Sequence, residues 1–124
     1  MKCVVLATLL LGACASSWDR YPHSLYSALR ADSPQAIASH QRLLEKLYSD
    51  ARKADRKPPA GIAAEYAFYS WKVGKPEVVQ EALAVECECY PESKKFVELL
   101  GRFLPSVPVV PIPKEPERSA DDDF

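Results

Sequence analysis

The stretch Pro58-Pro59-Ala60-Gly61-Ile62-Ala63-Ala64-Glu65-Tyr66-Ala67-Phe68-Tyr69-Ser70-Trp71-Lys72-Val73-Gly74-Lys75-Pro76 decides the fold. Its two leading prolines end the helix before them, because the residue preceding a proline is pushed out of the α region. From about Ala60 to Val73, the residues Ile62, Tyr66, Tyr69 and Val73 recur at the spacing of one helical face. Phe68 and Trp71 lie off that face, so the helix is apolar on more than one side. That predicts the central, most buried element of the molecule. Gly74 suits the left-handed residue that closes a helix.

Upstream, Asp32-Ser33-Pro34 is a helix start, with Ser33 able to cap and Pro34 suited to the first helical position. A helix is predicted from there to about Ala54. Its stripe is Ile37, Leu44, Leu47, Tyr48 and Ala51, with His40 and Gln41 on or near that face. Before it, Leu25, Tyr26 and Leu29 predict a shorter helix over Tyr21–Ala31. Downstream, Pro76 and Glu77 open a fourth helix that buries Val79 and Leu83, with Cys87 and Tyr90 further along the same side. Pro91 restarts the chain, and a fifth helix holds Phe96, Val97, Leu100, Phe103 and Leu104. No segment alternates with a strand's period of two. Short connections predict antiparallel neighbours. The expected class is all-α, with about five helices in tetratricopeptide-like antiparallel pairs. Gly74 and Pro91 lie seventeen residues apart, as in that repeat, and small Ala67 falls where paired helices approach. Val79 and Glu86 stand where the repeat prefers Ala, and Ser70 where it prefers Tyr.

The termini have a different character. Lys2 precedes an apolar run from Val4 to Leu11 broken only by Thr8. A permanent span needs about 20 apolar residues, so this run reads as a signal peptide over residues 1–13. Leu11-Gly12-Ala13-Cys14 resembles the bacterial lipobox: small residues flank the cut, and a thiol accepts the lipid. Cys14 is the expected lipidation site, palmitate included, and residues 14–19 a short tether. Ala15 is not the Asp that resembles an inner-membrane retention signal. The expected address is therefore the outer membrane, with the domain facing the periplasm. Residues 20–104 form the helical domain. From Pro105 onward, prolines interrupt Val107, Val109, Val110 and Ile112, which favours an extended, disordered tail over residues 105–124 ending in Asp121-Asp122-Asp123.

Across 124 residues, 16 Lys and Arg face 17 Asp and Glu, for a formal charge of -1. That excludes a nucleic-acid binder held by bulk positive charge. Four glycines exclude a glycine-rich phosphate loop.

Trp18-Asp19-Arg20-Tyr21, Ser24-Leu25-Tyr26, Pro58 to Tyr66, Gly74-Lys75 and Tyr90-Pro91-Glu92-Ser93 with Phe96 together resemble a bacterial family of small lipoproteins, domain of unknown function 4810. The resemblance covers about Trp18 to Leu104. It implies a helical-repeat lipoprotein of an envelope complex, with other envelope lipoproteins as partners, among them one similar to the curli secretion channel subunit. It implies no reaction. The chain departs from the family at Cys87-Glu88-Cys89, where acidic, alanine-rich text is usual.

No HExxH, GxSxG, Walker A or CxxC motif is present. His40 reads as a core or boundary histidine, because no serine or cysteine near it in the sequence supplies a nucleophile. His23 reads as solvent-facing. Cys87 and Cys89 cannot bridge each other on a regular helix and read as apolar filler, with a disulfide or a metal site as alternatives. Glu65, Glu77, Glu81, Glu86 and Glu88 read as solvated, Glu65 being the exception expected to bond the Pro58–Gly61 turn or a partner. Arg52, Lys53, Arg56 and Lys57 complement the dipole of the second helix, with anionic lipid headgroups as the alternative reading. Glu65, Tyr66, Phe68, Tyr69 and Trp71 are the candidate partner-binding residues. No cofactor, no metal and no catalysis are expected. The expected function is a non-catalytic protein-binding adaptor or accessory subunit. The alternatives are an activator of a cell-wall enzyme and a small hydrolase or thiol-redox protein.

Overall fold

A computed structural model describes residues 16–112. Cys14, the signal peptide and the end of the proline-rich tail lie outside the described residues. The elements are α1 (Ser17–Ala31), α2 (Pro34–Lys53), α3 (Ile62–Lys72), α4 (Val79–Cys89) and α5 (Lys94–Phe103). Single 3-10 turns precede α4 and α5 and follow α5. No strand occurs among the described residues, so the protein is all-helical. Each helix packs on the next in sequence, and the α4–α5 contact is the lightest of the four. The sequential packing is consistent with the tetratricopeptide-like arrangement that the short connections suggest.

Helix α1 starts at Ser17, before the predicted Tyr21, because Ser16 and Asp19 form a capping box. The Ser16 side chain accepts from the Trp18 amide, and Asp19 Oδ2 accepts from the Ser16 amide at 2.9 Å. Ser33 caps α2 as read, accepting from the Ala36 amide at 3.2 Å. Helix α2 ends at Lys53, ahead of the Pro58-Pro59 pair. Its last carbonyls are closed by the Asp55 and Arg56 amides, with Asp55 in the left-handed region. The prolines therefore shape the linker and do not terminate the helix. Gly74 closes α3 in the same way: its φ is +80°, and the Lys75 amide donates to Ser70 O at 2.8 Å.

Helix α3 is central. Ile62, Ala63, Ala64, Tyr66, Ala67, Tyr69 and Ser70 are all buried along it. Ala67 is 0 % exposed, which lets neighbouring backbone approach closely. Ile37, Leu44 and Tyr48 of α2 fill one side of it, and Val79, Ala82, Leu83 and Val85 of α4 the other. Helix α5 behaves differently. Of the residues read as its apolar set, Val97 and the following Leu104 are buried and Leu100 is partly so, but Phe96 and Phe103 are exposed. After Ser106 the chain turns back over the end of α3. The Trp71 indole N–H donates to Val107 O at 3.0 Å, and the Val110 amide donates to Lys72 O at 2.8 Å.

Candidate functional sites

A polar chain crosses the first three helices. His40 of α2 is fully buried, with Nδ1 2.9 Å from Ser24 Oγ of α1 and Nε2 2.7 Å from Glu65 Oε1 of α3. The Tyr21 hydroxyl donates to Glu65 Oε2 at 2.5 Å. An ionised carboxylate only accepts, so His40 Nε2 carries its proton toward Glu65. The Ser24 hydroxyl, which can both donate and accept, satisfies Nδ1 in either role. Burial, then the hydrogen bond to Glu65 and its charge, hold the Tyr21 phenol well above its ordinary range. Burial followed by the Glu65 charge raises Tyr69, whose ring meets His40 edge-on at 4.7 Å between centroids. The Glu65 carboxylate is thus committed to α1 and α2; only the Glu65 backbone amide reaches the Pro58–Gly61 turn, donating to Gly61 O at 2.9 Å.

That turn is held by α4 instead. Glu86 is buried, and its Oε1 accepts from the Gly61 amide at 2.9 Å. The Tyr90 hydroxyl donates to Pro58 O at 2.7 Å. The expectation of a solvated Glu86 is corrected: the side chain points into the stack toward the Gly61 amide, one of the donors that the start of α3 leaves without an intrahelical acceptor.

The expected partner-binding set divides in two. Tyr66 and Tyr69 are buried, so their rings are core and not surface. Phe68 and Trp71 are half-buried against the same core, and Trp71 is further tied to the returning chain at Val107. Sequence periodicity identified the helix but could not identify its outside, since two flanking helices leave it almost none. The nucleophile-type partner of His40 was also missed. Ser24 lies sixteen residues away in sequence, and only the α1–α2 packing brings it in. Ser24 lines a cleft of about 540 Å³ between α1 and α2, beside Arg20, His23, Ser27 and Ser39.

Large exposed apolar side chains lie elsewhere, on α1 at Tyr26 and Leu29 and, as a set of three, on α5. Phe96 (55 %), Leu99 (55 %) and Phe103 (57 %) stand out along one face of α5. Cys87 and Cys89 are free and half-buried. Among the described residues no group of three or more His, Cys, Asp and Glu is placed to hold a metal ion, and no helix is long and apolar enough to cross a membrane. Arg56 and Lys57 share a cleft with Ser16, Ser17 and Trp18, so the basic end of the α2 linker faces the start of α1.

No curated protein and no solved structure matches the chain. The family model described as domain of unknown function DUF4810 matches residues 16–100, from the first described residue into α5. That stretch is most of the chain and includes the capping box, the Tyr21–Glu65–His40 network and the Glu86-held turn, and the protein belongs to the DUF4810 family.

Proposed function

We propose that this protein is a lipid-anchored, non-catalytic adaptor or accessory subunit of a bacterial envelope complex. In this reading acylated Cys14 holds it at the outer membrane facing the periplasm, and the helical stack docks other envelope proteins. One similar to the curli secretion channel subunit is among the expected partners. The observation that carries the reading is the bare apolar face of α5, formed by Phe96, Leu99 and Phe103. Single exposed apolar residues need no explanation, but three on one helical face mark an interaction surface. The position of Arg56 and Lys57 beside Ser16 adds support, since it sets cations near an anchor two residues upstream.

The test is a mild-detergent pull-down from envelope membranes with the full chain and with a Phe96→Ser/Leu99→Ser/Phe103→Ser variant. The variant is expected to keep its helicity and lose its partner. Unchanged recovery of the partner would overturn the adaptor reading. Cys14→Ser is expected to move the protein out of the membrane fraction.

A hydrolase is the second reading, because Ser24, His40 and Glu65 follow the order nucleophile, base, acid. Against it, Ser24 sits inside α1, where neighbouring amides are already bonded along the helix and offer no donors to an oxyanion. A fluorophosphonate probe is expected to leave Ser24 unlabelled. Labelling abolished by His40→Ala would establish the hydrolase.

A further inference from the structure

The inference concerns what covers α5, and it rests on the adaptor reading above. Phe96, Leu99 and Phe103 are spaced three and then four apart, the a–d–a spacing of a coiled-coil seam. In that register Val97 and Gly101 fall on the side turned to α4: Val97 is buried, and a Cβ at Gly101 would lie 3.9 Å from Leu83. Leu100, at the position flanking the seam on one edge, is partly buried against the core. The other edge is open. It carries Lys95 and Arg102 at the g position, with Glu98 between them one position further from the seam; all three are exposed, none makes an ion pair among the described residues, and the edge is net basic. The seam spans about 10 Å, close to two helical turns.

Four occupants can be weighed against this pattern. Residues 1–15 are apolar but contain no Asp or Glu to meet the cations. Residues 113–124 are acid-rich, but Phe124 is their single large apolar side chain, against a seam of three. A second copy laid antiparallel on α5 would bring g against g, setting Lys95 against Arg102 at each end, cation on cation. The remaining occupant satisfies both the seam and the rim.

We propose that α5 receives an amphipathic helix of another protein, with apolar residues on its inner face and Asp or Glu along the edge that meets Lys95 and Arg102. The apolar seam supplies contact area. The net basic edge selects the partner's charge.

The test titrates the full-length, nitrogen-15-labelled protein with a synthetic peptide of about three heptads bearing Leu at a and d and Glu at e and g. A twin peptide bears Lys at e and g. Like charges keep each peptide from pairing with itself. The Glu peptide is expected to shift the amides of residues 95–103 and to bind about tenfold more tightly than the Lys peptide. Lys95→Glu/Arg102→Glu is expected to reverse the preference. Equal affinity for the two peptides, or shifts confined to other helices, would overturn the proposal. Concentration-dependent shifts of the same amides without peptide would assign the face to a second copy and overturn it too. So would a tenfold gain in peptide affinity on deleting residues 113–124, which would assign it to the tail. If the preference fails while Phe96→Ser/Leu99→Ser/Phe103→Ser still loses its envelope partner, the adaptor reading stands and only the acidic-helix chemistry falls.

Discussion

Helices α3 and α5 are nearly equal in length, 11 and 10 residues, and both are rich in large apolar side chains. Yet α3 buries Tyr66 and Tyr69 while α5 leaves Phe96 and Phe103 more than half exposed. The difference is the number of neighbours. Helix α3 lies between α2 and α4, whereas α5 comes last among the described helices and packs chiefly on α4. Composition therefore states how much apolar surface a helix offers, and position in the stack states how much of it is covered. A terminal helix of a stacked repeat normally turns a polar face outward. On the adaptor reading, the bare face of α5 is where another chain would continue the stack.

This contrast can be broken or sharpened by experiment. The largest expected effect is alkaline unfolding that starts in α3 and its contacts. Tyr21, Tyr48, Tyr66 and Tyr69 are all raised above the ordinary 10.0, with burial the first cause for each. The unfolded chain then releases these phenolic protons at lower pH than the folded one. Their contribution is complete below pH 10 and is lost as pH climbs through the raised values. Tyrosinate absorbance followed against helicity should show the two changing together. Independent titration with the helices intact would show that these phenols are free.

Next in size is Leu44→Ala in α2, which empties a fully buried site against α3 and should cost about 3 kcal/mol in urea unfolding. Glu86→Ala should cost about 2 kcal/mol, because it leaves the Gly61 amide without its acceptor. Gly61→Ala isolates the backbone alone. Nothing lies within 4 Å of the added Cβ, so a cost of about 1 kcal/mol reports only the strain of a φ of +90°. At the bottom of the scale, Leu99→Ala in α5 should change stability by less than about 0.5 kcal/mol. A cost near that of Leu44→Ala would show that α5 is covered within the chain, and the comparison with α3 would fail.

Much of the architecture is legible in the sequence. Ser33-Pro34 and Gly74 carry local stereochemistry that means the same thing in any fold, a capped start and a left-handed stop. The pattern of Ile62, Tyr66 and Tyr69 identified a helix apolar on several sides. Other signals were read with the wrong physical cause. Pro58-Pro59 suggests the end of α2, although a left-handed Asp55 ends it sooner. Glu86 was read as solvated because an acid in a helix usually is, and no local rule anticipates a free amide at Gly61 meeting it from 25 residues away.

By itself, the sequence determined the all-helical class, the approximate borders of the helices and the identity of the central one, because propensity, capping and periodicity act over a few neighbouring residues. Only the tertiary structure decided that Ser24, His40, Glu65 and Tyr21 join into one buried chain, that Glu86 secures the Pro58–Gly61 turn, and that Phe96, Leu99 and Phe103 face outward. Each of these depends on which helices lie side by side. That adjacency is a property of the whole packed stack, and an apolar or polar residue carries no mark of which neighbour it will meet.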